Sequence, residues 1–171
     1  TEDFINSLIK GVYLEDRNLT FDVTKFQNWY YQPGTPKVFI KQSWDPEKSI
    51  LNVSFEQKLD NDTSKKNIEM VIPILYSCYS SEKESIPIVK DNLFVLDTNK
   101  KDLQIQGLPG EKNAPVLSIF RRFSSPVIWE SDLSIDDYLF LFLNENDYFS
   151  RWDAGQFIMR EIIKNRVKTK S

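Results

Sequence analysis

The sequence predicts an immunoglobulin-like antiparallel β-sandwich, flanked by short N-terminal helices and by two C-terminal helices. In residues 35–130, apolar and polar side chains alternate with period two, as they do along Leu51, Val53 and Phe55. Polar connectors such as LDNDTSKKN and DTNKK separate these runs, and no helical spacing lies between them. Many short strands joined by polar turns favour a sandwich over a parallel sheet.

The N-terminal region has helical spacing. A short amphipathic turn over residues 1–9 comes first. Asp22 is then a good N-cap for a helix that carries Phe26, Trp29 and Tyr30 at positions i, i+3 and i+4. This helix must end near YQPGTP, because proline removes a hydrogen-bond donor and glycine permits a turn.

The sandwich region contains enough alternating segments for seven or eight strands. Pro73 and Pro87 are expected at strand edges or bulges, because a central ladder needs the N–H group that proline lacks. The predicted strands are residues 37–44, 51–56, 68–74, 86–89, 93–97, 103–108, 116–123 and 127–130.

Two helices follow the predicted strands. Ser134 and Asp137 have the spacing of a capping box before the apolar run YLFLFL, and Ser150 and Asp153 have the spacing of a second box. The second helix then carries a wide apolar stripe over residues 157–163. One short sandwich cannot cover two such broad faces, so we expect these helices to begin a larger helical array.

The composition excludes most kinds of active site. The chain has no histidine and one cysteine, Cys78, which rules out a Ser-His-Asp triad, an HExxH zinc site and a structural zinc site within these residues. We therefore predict no catalytic, metal-binding or cofactor-binding residue. A lone cysteine fits a reducing compartment, and we expect a cytoplasmic protein.

The charges and the apolar runs also exclude two classes of partner. Net charge is −3 with lysines and acids mixed along the chain, which favours neither nucleic acid nor an anionic membrane. The most apolar run, Tyr138 to Leu143, is far too short to span a bilayer.

Several polar groups could be drawn as sites, but a structural interpretation fits each of them better. Solvated loops and helix N-termini account for the acidic groups Asp60/Asp62, Asp132 with Asp136/Asp137, and Glu145/Asp147. Arg121 and Arg122, on a predicted strand, should point to opposite faces and pair with acids at the sheet surface or across a domain contact. The glycosylation sequons at Asn18, Asn52 and Asn61 are expected chance matches.

Aromatic residues are concentrated near both ends of the predicted sandwich. An apolar patch of this size usually marks an interface. We therefore predict packing against neighbouring domains through Phe26, Trp29, Tyr30, Tyr148, Phe149 and Trp152.

The chain resembles the middle of the zinc aminopeptidases of the aminopeptidase N type, which include bacterial and plasmodial alanyl aminopeptidases. The matching segments are Thr1-Glu-Asp-Phe4, FQNWYYQPGTPKV at residues 26–38, WDPE at 44–47, FSSPV at 123–127 and DYFSRWDA at 147–154. The resemblance implies the end of a catalytic domain at residues 1–34, an immunoglobulin-like sandwich at 35–130, and the start of a helical C-terminal domain at 131–171.

The resemblance also implies the chemistry of a larger parent enzyme. Members of this family hold zinc with HExxH and a distal glutamate, and the activated water cleaves the first peptide bond of a peptide. Those residues lie upstream of the matching region, so none is assigned here. We therefore expect a non-catalytic scaffold between neighbouring catalytic and C-terminal helical domains. The alternative is a freestanding immunoglobulin-like module that binds protein or carbohydrate.

Overall fold

The computed structural model describes residues 3–4, 6–7, 22–59, 68–80, 86–108 and 113–168. The predicted turn at residues 1–9, Asp60/Asp62, and the sequons at Asn18 and Asn61 lie wholly or mostly outside this part of the chain. The principal elements are α1 (Val23–Tyr31), β1 (Pro36–Asp45), β2 (Ile50–Leu59), β3 (Ile72–Tyr79), β4 (Pro87–Leu96), β5 (Lys100–Ile105), β6 (Val116–Ser118), a 3₁₀ turn (Arg121–Phe123), β7 (Ile128–Ser131), α2 (Ile135–Asn144) and α3 (Tyr148–Lys168).

The strands form two sheets, which confirms the predicted sandwich. One sheet has the order β5-β2-β1-β7 and the other the order β4-β3-β6. The described strand pairs are antiparallel except for β1 and β7, which run parallel from Lys37↔Ile128 to Ile40↔Ser131. A fully antiparallel arrangement was therefore wrong for this one pair. The long connection that returns the chain to β1 brings β7 alongside in the same direction.

The core lies between the two sheets and follows the alternation in the sequence. Phe55 is buried in β2 and stacks on Phe94 of β4, with ring centroids 4.9 Å apart. Burying one such side chain stabilises the fold by roughly 1.5–3 kcal/mol. The other buried positions of the sandwich core include Val38, Ile40, Leu51, Val53, Met70, Ile72, Ile74, Leu96, Ile105 and Leu117.

A single glutamine bridges chain segments inside this core. The amide nitrogen of Gln57 donates to the carbonyl oxygens of Met70 and Thr98, at 3.0 and 2.9 Å. Its amide oxygen accepts from the N–H group of Met70 at 2.9 Å. The side chain thus provides partners for three backbone groups. They are the N–H and C=O of Met70, just before β3, and the C=O of Thr98, just after β4.

Several of the predicted strands have other bounds in the structure. The predicted strand 68–74 is β3 at Ile72–Tyr79, and the predicted strand 103–108 is β5 at Lys100–Ile105. The predicted strands 86–89 and 93–97 form one strand, β4, because Asp91 adopts φ 50° at an irregularity in its pairing with β3. The predicted strand 116–123 ends at Ser118, after which the chain turns. A strand there would have left Arg121 at a sheet surface, whereas the turn directs it into the interior.

The two prolines lie where the missing donor is tolerated. Pro87 begins β4, which is at the edge of its sheet. Pro73 belongs to β3, but β6 pairs only with Ser77–Tyr79 of that strand. The carbonyl oxygen of Pro73 accepts hydrogen bonds from the hydroxyls of Ser124 and Ser125.

A second, smaller core joins the C-terminal helices to the sandwich. Helix α2 starts with a capping box, in which the Ser134 hydroxyl accepts from Asp137 N–H and the Asp137 carboxylate accepts from Ser134 N–H. Gly155 of α3 lies against the ring of Phe142, where a Cβ atom would come within 3.0 Å. The buried members of this core are Tyr79, Val116, Leu133, Tyr138, Leu141 and Ala154.

Candidate functional site

Helix α1 is attached to one end of the sandwich by side chains that reach across to backbone groups. The Lys25 ammonium lies 2.6 Å from the Glu69 carboxylate and donates to the carbonyl of Asp97. The hydrogen bond between Lys25 and Glu69 raises the pKa of Lys25 and lowers the pKa of Glu69. Asn28 and Trp29 donate to the carbonyls of Glu69 and Val71, both at 2.8 Å. These contacts fix the direction of α1 on the sandwich.

The aromatic side chains of α1 that were predicted to pack against a neighbouring domain differ in their exposure. Trp29 is half-buried and packs against the sandwich core. Phe26 is half-buried and meets Tyr30 edge-on at 6.2 Å. Tyr30 and Tyr31 are exposed on the outer side.

The other end of the sandwich is joined to the helices by a polar group of five residues, of which Tyr79, Arg121 and Glu145 are buried. We call it the junction cluster, and it consists of Tyr79, Asp91, Arg121, Glu145 and Asn146. Arg121 is 2% exposed and Glu145 is fully buried. An interior ion pair is costly to form, because both ions lose their hydration. The geometry around the two ions must therefore be well defined.

The contacts within the junction cluster span the sandwich, the turn and the loop between α2 and α3. Arg121 Nη2 donates to Asn146 at 2.7 Å, Nη1 lies 3.4 Å from Glu145 Oε1, and Nε lies 3.2 Å from Asp91 Oδ1. Glu145 Oε1 also accepts from the Tyr79 hydroxyl at 2.7 Å. Burial and this hydrogen bond raise the pKa of Tyr79 to about 12, so the hydroxyl stays a donor.

The turn that carries Arg121 has an unusual backbone. Phe120, Arg122 and Phe123 all have φ between 53° and 55°, a left-handed conformation that non-glycine residues seldom adopt. It directs Arg121 inward and leaves the Arg122 side chain exposed, yet both arginines reach Asp91. Both arginines were predicted to pair with acids. The prediction that they point to opposite faces of a strand was wrong, because Arg121–Phe123 form a 3₁₀ turn.

Helix α3 begins three residues earlier than its predicted capping box. The Asp147 carboxylate accepts from Ser150 N–H at 2.9 Å and from the Ser150 hydroxyl, and Arg151 N–H donates to the Asp147 carbonyl. Asp147 is therefore the N-cap, and the assignment of that role to Ser150 and Asp153 was wrong. The Asp147 N–H donates to Glu145 Oε1 at 2.8 Å, so the loop before α3 positions the cap.

The cap also ties the helix to the turn, since Asp147 accepts from Arg122 N–H at 3.1 Å. Burial opposes the charge on Asp147, but the donors from Ser150 and Arg122 outweigh it and lower the pKa below its ordinary value of 3.8. Glu145, which was predicted to be solvated like Asp147, is buried instead. Its position beside Arg121 is a tertiary contact that no local spacing signals.

We expect Asp147→Ala to lower the free energy of unfolding by about 1 kcal/mol at pH 7, through the loss of the cap. Because the folded-state pKa of Asp147 is depressed, its contribution is present above the ordinary value of 3.8 and is lost as pH falls through the folded pKa. Urea titrations between pH 7 and pH 2 would measure both effects. Asp136→Ala, at an exposed position on α2, should change stability by less than about 0.5 kcal/mol, and equal losses in the two variants would contradict the assignment.

The aromatic residues at the start of α3 form a partly exposed surface, which we call the aromatic ridge: Phe123, Tyr148, Phe149 and Trp152. Phe149 contacts Phe123 at 5.1 Å and Trp152 at 5.8 Å between ring centroids. Tyr148 is 84% exposed and Trp152 57% exposed. Phe149 thus packs on the turn, while Tyr148 and Trp152 face outward.

Exposed apolar side chains also occur on α2 and α3. Apolar residues that are scattered singly on a surface are ordinary, but contiguous ones mark contact sites. The exposed apolar side chains on these two helices include Leu139, Phe142, Leu143, Met159, Ile162, Ile163 and Val167.

The residues that the structure describes contain no group of three or more histidine, cysteine or carboxylate side chains placed to hold a metal ion. The donor set agrees, since the sequence has no histidine and Cys78 is buried. Zinc therefore does not fit these residues. Among the described helices, none is both long enough and apolar enough to cross a membrane.

Comparison with known proteins gives the family of the chain. The family model described as "Domain of unknown function (DUF3458) Ig-like fold" matches residues 34–132. Aminopeptidase N of Escherichia coli (strain K12) is 29% identical over 97% of this chain, and that of Haemophilus influenzae is 23% identical over 97%. The chain spans 19% of the length of each of these two relatives.

A solved structure has the same fold. The crystal structure of Legionella pneumophila aminopeptidase A in complex with aspartic acid matches with a TM-score of 0.74 and 21% identity, over 88% of this chain and 16% of that one. These matches confirm the resemblance that the motifs indicated. The chain belongs to the DUF3458 Ig-like domain family, which is found in aminopeptidases N.

Proposed function

We propose that this chain is the non-catalytic immunoglobulin-like segment of a zinc aminopeptidase that removes N-terminal residues from peptides. Its role is to hold a catalytic domain and a C-terminal helical domain at a fixed angle. Residues 1–34 and 131–171 belong to those two neighbours, and residues 35–130 form the sandwich between them. The zinc and the cleavage chemistry lie in the remainder of the parent polypeptide, in the cytoplasm.

The observation that carries this proposal is the junction cluster. A flexible connection between the sandwich and the helices would need few contacts, and those would be exposed. Here the buried Arg121 binds the loop between the helices through Glu145 and Asn146, and binds the sandwich through Asp91. Arg121 donates a charge-assisted hydrogen bond to Asn146, and its guanidinium forms ion pairs with Asp91 and Glu145 at 3.2 and 3.4 Å. Such contacts require defined distances. The helices are therefore held in one orientation.

The exposed apolar surfaces support the same proposal. The aromatic ridge and the outer sides of α2 and α3 lie beyond the junction cluster, and Tyr30 and Tyr31 lie at the opposite end. These are the places where flanking domains would pack. A freestanding binding module would need only one such surface.

The size of the native polypeptide tests the proposal. Mass spectrometry of the endogenous protein, captured through residues 35–130, should find a chain several times longer that carries an HExxH peptide upstream of Thr1. A native chain of this length alone would overturn the proposal. The exposed aromatic residues would then be the binding surface of the freestanding module.

We expect Trp152→Ala to have different effects in the two contexts. In the 171-residue chain the ring is mostly exposed, so the free energy of unfolding should change by less than about 1 kcal/mol. In the longer polypeptide the ring should be covered by a neighbouring domain, and its loss should lower both thermal stability and peptide turnover. Ile86→Ala, an exposed apolar position immediately before β4, is the matched control. Unchanged stability and turnover in the longer polypeptide would count against packing at the aromatic ridge.

A further inference from the structure

A cavity of about 510 Å³ lies between strand β7 and helix α3. We call it the β7–α3 cavity. One wall is the edge strand β7, and another is a row of stacked rings in which Tyr138 and Phe157 are 3.7 Å apart between centroids. The charged residues that line it are Glu130, Asp153, Arg160, Glu161 and Lys164. A volume of this size accepts a long side chain together with part of its backbone.

The charges in the cavity do not balance internally. Lys164 pairs with Glu161 at 2.7 Å. Arg160 has its guanidinium carbon 6.0 Å from the centre of the Phe157 ring, where it covers that aromatic face. Arg160 keeps its charge there, so one cation faces the two remaining carboxylates, those of Asp153 and Glu130. Within the part of the chain that the structure describes, no hydrogen bond or ion pair reaches either carboxylate.

Asp153 is the more unusual of the two, because it is half-buried. Burial raises the pKa of Asp153, and the more distant charge of Arg160 opposes this only in part. A carboxylate that is taken out of water without a partner lowers the stability of the fold. The position therefore has an unmet requirement for a positive charge.

The backbone of β7 is also available on one side. Within the described sheet, β7 pairs only with β1, and its other edge borders the cavity. The exposed edge of a strand offers N–H and C=O groups with which an extended segment can pair. The aromatic row would cover the aliphatic stem of a long basic side chain.

We propose that the β7–α3 cavity binds an arginine or lysine side chain from an extended segment of the longer polypeptide, with Asp153 and Glu130 as its counter-ions. The proposal rests on the proposed function, since the segment comes from a neighbouring part of the parent. The matched relatives carry most of their length outside the region that aligns with this chain. The charge of the cavity selects a cation, and its open strand edge selects an extended backbone.

The substitution Asp153→Asn tests the proposal, because its effect should reverse between the two contexts. In the 171-residue chain, removal of an unpaired and partly buried charge should raise the urea midpoint. In the longer polypeptide, the same change should leave the bound cation with Glu130 as its remaining counter-ion and so weaken its binding. Deuterium uptake over residues 127–131 should then be about tenfold faster than in the unsubstituted protein.

Two further variants make the result specific. Glu130→Gln, at an exposed position on β7, should leave the 171-residue chain unchanged and should speed uptake in the longer polypeptide. Glu47→Gln, in the exposed turn between β1 and β2, should have no effect in either. Unchanged or slower uptake with Asp153→Asn in a longer native polypeptide would overturn this inference alone. A native polypeptide of only 171 residues would overturn the proposed function as well.

Discussion

Arg121→Met is expected to lower the free energy of unfolding by about 3–5 kcal/mol, the usual cost of removing one partner of a buried ion pair. Methionine occupies a similar volume, so the loss reflects charge and hydrogen bonding more than an empty space. Glu145 would stay buried without its counter-charge, and Asn146 would lose its 2.7 Å donor. Urea unfolding followed by tryptophan fluorescence would measure the difference.

Two other variants separate the buried pair from the general effect of removing an arginine. Arg122→Met removes a guanidinium that is 66% exposed, and we expect a change below about 1 kcal/mol. Glu145→Gln keeps an acceptor for the Tyr79 hydroxyl and leaves Arg121 its contacts with Asp91 and Asn146, so its cost should lie between the other two. Equal losses for Arg121→Met and Arg122→Met would contradict the central place of Arg121.

In the longer polypeptide that we propose, Arg121→Met would also test the proposed scaffold role. Because the junction cluster holds the loop between α2 and α3, its disruption should release the helices from the sandwich before the sandwich itself unfolds. Hydrogen exchange should therefore increase over residues 135–150 and much less over residues 50–59. A uniform increase would mean that the cluster stabilises the whole fold without orienting the helices.

Gln57→Leu is expected to lower the free energy of unfolding by about 3 kcal/mol, because two buried backbone groups of Met70 and the partly buried carbonyl of Thr98 would each lose a partner. Leucine is close to glutamine in size and suits the apolar surroundings, so hydrophobicity alone predicts little loss. The hydrogen bonds to Met70 and Thr98 oppose that expectation. The same urea measurement distinguishes the two results.

The matched control for Gln57→Leu is Gln104→Leu. Gln104 donates to Asn52 on the exposed face of the same sheet, where water replaces a lost hydrogen bond. We expect a change of less than about 0.5 kcal/mol there. A loss at Gln57 no larger than the loss at Gln104 would show that the three backbone groups find other partners.

Local patterns in the sequence were sufficient to predict the sandwich and the order of its elements. Alternation along residues 51–55 places apolar side chains on one face of β2, and that rule needs only the pleat of a strand. The cap at Asp22 acts within three residues and was also predictable, since its carboxylate accepts from Lys25 N–H. Short-range geometry carries both signals.

The tertiary structure alone decided the place of the charged residues at the junction. Arg121 and Glu145 are 24 positions apart, and nothing in either neighbourhood distinguishes a buried ion from a solvated one. The left-handed turn before β7 and the loop between α2 and α3 bring them together, and only then does a buried pair exist. The start of α3 at Asp147 depends on that same loop. Periodicity determines which face of an element is apolar. Contacts between distant segments determine which polar groups are buried, because a buried polar group is stable only with partners that the local sequence does not specify.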